Sequence, residues 1–252
     1  MGVVITIYML SKNEVKYIRS LRLKKGRTDS GCFQAEGPRL VNHLLRYHPE
    51  YLHELYVTDT YQLPDGVVVS KEKIREISSQ ELEAITSLQQ PQEVFAIFRQ
   101  APGKDLQALD SGWLLALDGI RDPGNMGSVF RLADWFGFDG IVCSEDCADQ
   151  YNPKVVQASM GSILRLPVQV TSLKSFFENS SLPAIGAVLE GDLLHKDHIP
   201  ANGILVIGNE GEGIRSDLFP YLKHRLTIPS YGTAESLNAA MATGIMMWEI
   251  RR

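Results

Sequence analysis

The sequence predicts an α/β protein in two parts, a smaller mixed α/β region followed by a parallel sheet with helices on both faces. Three observations carry this prediction. First, the second half alternates apolar runs with helical segments, the pattern of successive β–α–β units. Second, WLLALDGI (113–120) and GILVIG (203–208) are almost continuously apolar, as strands covered on both faces must be. Third, QAPGKDLQALDSG (100–112) mixes Pro, Gly and charge and reads as a linker. A chain of 252 residues has room for one or two domains, and the boundary falls between 1–105 and 106–252.

The elements follow in order. KNEVKYIRSLRL (12–23) places Val15, Ile18, Leu21 and Leu23 near helical spacing, with Ser11 as N-cap. GCFQAEG (31–37) is a short strand, and Pro38 suits the first turn of a helix through PRLVNHLLRYH. ELYVTD (54–59), GVVVS (66–70) and EVFAIFR (93–99) are strands, with helical segments between Lys71 and Leu88. Beyond the linker, NMGSVFRLADWFG (125–137) is a helix closed by Gly137, and GIVCSE (140–145) is the next strand. A helix over 153–162, a strand PVQV (167–170) and a helix near 172–179 continue the alternation. AIGAVLE (184–190), GILVIG and RLTIP (225–229) are strands, and a last helix runs from about Glu235 to Arg251.

Composition excludes several classes. Hydrophobic residues at 44% and charged residues at 22% rule out a disordered or fibrous chain. No apolar run reaches the roughly 18 residues a membrane span needs. VVITIYML (3–10) has no basic flank before it and no small-residue cleavage site after it, so it does not read as a signal peptide. The expectation is a soluble cytoplasmic protein. Cys32, Cys143 and Cys147 make no disulfide framework. Cys143 and Cys147 lack a nearby His or second pair, and the six histidines show no H-E-x-x-H spacing, so no metal is expected.

Net charge is −5, unevenly spread. Residues 1–108 hold 14 basic and 13 acidic side chains, and the remainder 11 and 17. Within 12–27, Lys12, Lys16, Arg19, Arg22, Lys24, Lys25 and Arg27 face a single acid, Glu14. That segment is a basic patch of the kind that meets phosphate.

Three loops after strands of the second half are rich in Gly and polar residues: DGIRDPGNMGSVFR (118–131), IGNEGEGI (207–214) and IPSYGTAESLNAA (228–240). Ligands of open parallel sheets bind outside the carboxyl ends of strands, so the three could converge on one site. The spacing excludes some ligands and chemistries. GNEGEG is not G-x-G-x-x-G, and neither a phosphate-binding G-x-x-x-x-G-K-[ST] nor a hydrolase G-x-S-x-G is present.

The three loops resemble the signature motifs of the SpoU (TrmH) family of RNA ribose 2′-O-methyltransferases. N-x-G-x-x-x-R corresponds to Asn125, Gly127 and Arg131. G-x-E-x-x-G corresponds to Gly208, Glu210 and Gly213. I-P-x-x-G-x-x-x-S-L-N corresponds to Ile228, Pro229, Gly232, Ser236, Leu237 and Asn238. The likeness spans about 113–252. The first half, with SKNEVKYIRSLRLKKGR and F-x-x-E-G-P-R-L (33–40), resembles the family's L30e-like substrate-binding domain and adds Arg39 to the RNA-binding candidates.

The resemblance implies a sheet whose C-terminal segment forms a trefoil knot, although knots are nearly absent in proteins at large. It implies S-adenosylmethionine bent within the knotted loops, with contacts at Gly208, Ile228 and Leu237. It makes Arg131 the catalytic arginine, and Asn125, Glu210, Ser236 and Asn238 its neighbours in catalysis. Asn125 would orient Arg131 or bind substrate. Glu210 would pair with Arg131 or with a substrate amide. Ser236 and Asn238 would sit at the start of the last helix, where open N–H groups favour an anion. A dimer through the knot and the last helix is also implied. Small Ala239, Ala240, Ala242 and Gly244 and apolar Ile245, Met246, Met247 and Trp248 suit such a helix. The partner is RNA, ribosomal rather than transfer. The other reading is a non-catalytic RNA- or nucleotide-binding module that kept the fold.

Overall fold

A computed structural model describes residues 8–252. The apolar residues 3–7 judged above against a signal peptide lie outside them. In chain order the elements are α1 (Lys12–Ser20), α2 (Lys24–Ser30), β1 (Cys32–Glu36), α3 (Pro38–Tyr47), β2 (Leu52–Val57), β3 (Ile74–Glu76), α4 (Ser79–Ile85) and β4 (Val94–Arg99). There follow β5 (Trp113–Leu117), α5 (Pro123–Trp135), β6 (Gly140–Cys143), α6 (Pro153–Ser159), α7 (Ser162–Arg165), β7 (Val168–Val170), α8 (Leu173–Asn179), β8 (Ala184–Leu193), β9 (Gly203–Ile207), β10 (Leu222–Thr227) and α9 (Ala239–Arg251). They fall into two compact units. Residues up to Ala101 join Tyr151–Leu164 in the first, and Pro102–Gln150 joins Arg165–Arg252 in the second.

The first unit is built on a four-stranded sheet in the order β1-β4-β2-β3. β4 runs antiparallel to both neighbours, and β3 is parallel to β2. Ile18, Leu21, Tyr56, Phe95 and Ile97 form its core. α1 starts where Ser11 and Glu14 each cap the other's main-chain N–H, a reciprocal box that Ser78 and Glu81 repeat before α4. The helix expected over 12–23 stops at Ser20, and α2 begins a new axis at Lys24. GVVVS (66–70) is not a strand. Val68 is 90% exposed, and β3 occupies the edge beside β2 instead, with Leu55 opposite Ile74. The helix expected over 153–162 is broken by Met160 and Gly161, both at positive φ, into α6 and α7. Tyr151, just before α6, stacks on Phe33 at 4.9 Å, and its hydroxyl accepts from the Ala101 N–H at 2.9 Å.

The second unit holds a six-stranded sheet in the order β10-β8-β9-β5-β6-β7, every pair parallel. Leu114 of β5 stands level with Gly140 on one side and Ile204 on the other. Leu114, Ala116, Val142, Ile204 and Val206 meet Phe176 and Phe177 of α8 on one face. Strand alternation sends Leu115 and Leu117 to the opposite face, and they are equally buried. Burial on both faces explains the unbroken apolar runs. The chain departs from β5 outward through β6 and β7, then crosses to β8, comes back to β9 beside β5 and ends on the outer strand β10. The strand order therefore reverses between β5 and β9, the point where open sheets accept ligands. The loops after β5 and β9 both leave from it.

Candidate active site

The first loop begins with Asp118 at the end of β5 and turns into α5 at Asp122. The Asp122 carboxylate accepts from the Asn125 N–H at 2.7 Å, and Pro123 opens the helix. The Asn125 side chain therefore projects from the first turn. The second loop is a tight hairpin. Asn209 and Gly213 exchange two main-chain hydrogen bonds of 3.0 and 2.9 Å. A Cβ on Gly208 would lie 2.1 Å from the Gly213 carbonyl carbon, so only glycine lets the chain close here. Asn209 Nδ2 then donates to the Gly119 carbonyl at 2.8 Å, tying the second loop to the first.

These turns bring the three motifs together. Asn125 Nδ2 donates to Glu210 Oε1 at 2.5 Å, and Asn125 Oδ1 accepts from Asn238 Nδ2 at 2.7 Å. One amide from the first loop thus bridges a carboxylate from the second and an amide from the third, across separations of 85 and 113 residues.

Arg131 differs from expectation. It is exposed, and among the described residues its guanidinium has no hydrogen-bond or ion-pair partner. Six residues separate it from Asn125, so it lies about 9 Å along α5 and roughly 120° around it. In this structure neither Asn125 nor Glu210 contacts Arg131, and Asn125 instead holds one oxygen of Glu210. The acids that could have neutralised Arg131 are committed elsewhere: Asp134 to Arg165, and Asp122 to the cap.

The third loop also departs from expectation. The last helix starts at Ala239, not Glu235, with Asn238 as N-cap. Asn238 Oδ1 accepts from the Ala240 and Met241 N–H groups at 2.9 and 3.3 Å, so this helix end is already capped and offers an anion less than expected. Ser236 lies two residues before the cap, exposed. Residues 228–237 are irregular, and among the described residues their main-chain groups form no main-chain hydrogen bonds to one another. Ile228 is half-buried and Leu237 is 42% exposed. Two apolar side chains beside ten residues of open backbone suit a ligand with a flat apolar ring and polar edges, so the residues fit the adenosyl cofactor that the resemblance implies.

A cluster that sequence reading missed braces the loops. Asp118 is 1% exposed and accepts from Arg215 N at 2.8 Å and Arg215 Nε at 2.6 Å. Arg215 Nη2 lies 3.5 Å from Asp146, which also pairs with Arg121 at 3.1 Å. The Ser144 hydroxyl, then Arg121 and Arg215, hold the Asp146 carboxyl below its ordinary range against partial desolvation. Ser144 Oγ accepts from the Gly119 N–H at 2.8 Å, joining the β6 loop to the β5 loop. The only signal in the sequence is a carboxylate directly after the apolar β5 run. Nearby, hydrogen bonding from Cys143 lowers the Cys147 thiol to about 7, while Cys143 itself is pushed up. Among the described residues no group of three or more His, Cys, Asp or Glu side chains is placed to hold a metal ion.

In the first unit the basic patch divides. Lys12, Lys16, Lys24, Lys25 and Arg39 are exposed. Arg27 is 2% exposed, its guanidinium donating to the Leu21 carbonyl at 2.8 Å, so it is removed from the RNA-facing set. Arg22 donates to the carbonyls of Ile85 and Thr86, and exposed Arg19 to that of Ala84. These two tie the α1 end to the C-terminal end of α4, and burial of Leu21 turns the chain so that Arg27 points inward.

The comparisons agree with this geometry. Residues 112–248 match the family model described as the SpoU rRNA Methylase family, and residues 12–96 match the MRM3-like substrate binding domain. The chain is 32% identical over 248 residues to the 23S rRNA (guanosine(2553)-2′-O)-methyltransferase RlmP of Bacillus subtilis, covering 96% of this chain and 97% of the relative. Among solved structures it resembles a protein assigned to the TrmH family of RNA methyltransferases from Porphyromonas gingivalis, with a TM-score of 0.83 at 34% identity, over 97% of this chain and 99% of the other. It also resembles an rRNA methyltransferase from Sinorhizobium meliloti solved with AdoMet bound, with a TM-score of 0.81 at 29% identity, over 96% and 95%. A family match over residues 112–248 and a relative 32% identical over nearly the whole of both chains make this chain a member of the SpoU rRNA methylase family.

Proposed function

We infer that the protein transfers a methyl group from S-adenosylmethionine to a ribose 2′-hydroxyl of ribosomal RNA. The observation that carries this reading is the Asn238–Asn125–Glu210 chain, which joins all three family loops at the switch point of the sheet. The names of the B. subtilis and S. meliloti proteins support the substrate and the cofactor. S-adenosylmethionine, when bound, supplies an electrophilic methyl group on a sulfonium. Gly208, Ile228 and Leu237 are the residues that would hold it, largely through backbone groups.

The chain's own residues handle the alcohol. A 2′-hydroxyl is a weak nucleophile until its proton is drawn away. A guanidinium offers donors and no acceptor, so Arg131 is not assigned the role of base. Its free guanidinium is suited to hold an adjacent phosphate and to stabilise the developing alkoxide. Asn125 fixes one oxygen of Glu210 and leaves the other open to a substrate hydroxyl or amide. Asn238 holds Asn125 in the orientation this requires. Ser236, exposed two residues before Asn238, would donate to substrate.

Homodimerisation is part of the same reading. Met241, Ile245 and Trp248 are 62%, 38% and 60% exposed and form one stripe on α9 at spacings of four and three. Trp135, 83% exposed, follows Arg131 by one turn on the same face of α5. These surfaces are apolar enough to be covered by a second copy. Met246 and Met247 are fully buried within the unit and are withdrawn from the expected interface. Gly244 faces Leu132 of α5, where a Cβ would sit in ordinary contact at 3.5 Å, so closeness within the chain does not itself require glycine there. A knotted C-terminal segment and a cytoplasmic location belong to this reading too. Among the described residues no helix is long and apolar enough to cross a membrane.

The test is labelled-methyl transfer to unmodified ribosomal RNA, followed by mapping of ribose-methylated positions. Cofactor binding without transfer to ribosomal or transfer RNA would favour the non-catalytic module. Light scattering should give twice the 28.1 kDa chain mass.

A further inference from the structure

The second unit has the more acidic composition, yet one edge of its sheet concentrates positive charge. Among the described residues β10 is an outer strand, with no strand partner along one edge. Lys223 and Arg225 of β10 are exposed, and among the described residues neither is ion-paired. The Arg225 guanidinium lies over the Phe219 ring at 5.5 Å. His198 stacks on His224 at 6.1 Å, and His195 is 6.4 Å from His198. A cavity of about 560 Å³ opens there, lined in part by Ser216, Phe219, Lys223, His224 and Arg225, with Asp192 as its acid.

Two cations outside any ion pair, one of them a guanidinium laid flat over a ring that packs on the core, suit single-stranded RNA, with phosphates on the cations and an unstacked base on the outer face of the guanidinium. Charged side chains on an edge strand also discourage edge-to-edge pairing. That purpose needs neither a cavity nor a ring beneath the arginine. Arg225 precedes Ile228 by three residues, roughly 10 Å along an extended chain. A strand held at β10 therefore runs close to the loops that would hold the cofactor.

We propose that the β10 edge is an RNA-binding site of the methyltransferase unit. Lys223 and Arg225 hold backbone phosphates of a single-stranded stretch of the ribosomal RNA substrate, and the Arg225–Phe219 pair takes an unstacked base. The inference rests on the methyltransferase reading above and adds to it a contact outside the three family loops.

The experiment compares the wild-type chain with the Lys223→Ala/Arg225→Ala double variant and with Phe219→Leu. The probes are in vitro transcribed 23S rRNA and a short oligouridylate, titrated across a salt series. Two lost phosphate contacts should reduce the log–log salt slope by about 1.4, at about 0.7 for each single-strand contact. Affinity for oligouridylate should fall about tenfold, with S-adenosylmethionine affinity and circular dichroism unchanged. Phe219→Leu should weaken oligouridylate binding and leave the slope as it is. Wild-type protein with 4-thiouridine-substituted RNA should cross-link within residues 216–225, a readout that does not depend on any variant folding. Unchanged slope and affinity in the double variant, or no cross-link there, overturns the site while leaving wild-type methyl transfer intact. A wild type that neither binds nor methylates RNA overturns both readings. A change in oligomeric mass with unchanged RNA binding assigns the edge to contact between copies and also overturns the site.

Discussion

Replacing Asn125 by alanine and by aspartate separates a role in joining the loops from a role in stability. Alanine removes the donation to Glu210 and the acceptance from Asn238. At about 1 kcal/mol for each bond in a half-exposed setting, the loss is about 2 kcal/mol. That corresponds to about a thirtyfold drop in kcat/KM. Aspartate still accepts from Asn238 but sets a second carboxylate against Glu210. Repulsion between unit charges near 4 Å runs from about 1 kcal/mol in water to about 4 kcal/mol near a protein surface, and the exposure of Glu210 favours the lower figure. Aspartate keeps the Asn238 bond, loses the Glu210 bond and adds about 1 kcal/mol of repulsion, so its loss is also about 2 kcal/mol, about thirtyfold, although it is the closer isostere. Neither change touches the cap, which uses the Asn125 main chain, so the melting temperature should move by only a few degrees. The assay is labelled-methyl transfer to unmodified 23S rRNA, with melting curves on the same preparations. Aspartate as active as the wild type would refute the bridge. So would an activity loss that tracks a loss of folded protein. A cycle with Glu210→Gln should be non-additive, because the two side chains share one hydrogen bond.

Other outcomes follow from the same geometry. Arg131→Ala should abolish methyl transfer, keep cofactor affinity within a few-fold and leave stability within about 0.5 kcal/mol, since the side chain is exposed and unpartnered; calorimetry and transfer assays together check it, and Arg131→Lys should also fail because an ammonium lacks the planar fork. Leu237→Asp should weaken S-adenosylmethionine binding without unfolding, and an unchanged affinity would move the pocket elsewhere. Lys24→Glu with Lys25→Glu should weaken RNA binding and flatten its salt dependence while cofactor binding persists, whereas Arg27→Glu should lower the melting temperature instead, its guanidinium being buried. Iodoacetamide should label Cys147 ahead of Cys32 and Cys143 by mass spectrometry, with a rate that climbs through pH about 7 as the thiolate forms.

The second unit was legible because strands buried on both faces leave unbroken apolar runs, and β5 and β9 are found where those runs lie. Propensity alone misled at 66–70. Three consecutive valines favour extended chain, but a strand needs a neighbour, and β3 holds the place beside β2. The start of the last helix was read four residues early, because Ala and Glu suit a helix and only the fold shows that Asn238 caps it. The catalytic candidates were visible as motifs, whereas the Asn238–Asn125–Glu210 linkage spans separations that no local pattern encodes. Asp118 and Arg215 stand 97 residues apart and meet only through the sheet. Counting charges over 12–27 could not tell Arg27 from Lys24, since the turn at Leu21 decides which side chain faces inward. Net composition likewise hid the cations of β10 among seventeen acids of the second half.

The chain passes between its two units at 101/102, 150/151 and 164/165, so neither unit is one continuous stretch of sequence. The α6 residues Val155 and Val156 and the ring of Tyr151 belong to the first unit although they are encoded amid the second. Exchanging residues 1–101 for the head of another protein would strip Tyr151 of its stacking partner Phe33 and α6 of the β1 strand it packs against. A chimera therefore has to carry residues 151–164 from the same parent as its head, or supply a head with a matching acceptor. Diversification of RNA choice in such chains is constrained accordingly: the two sequence segments change together or the graft fails.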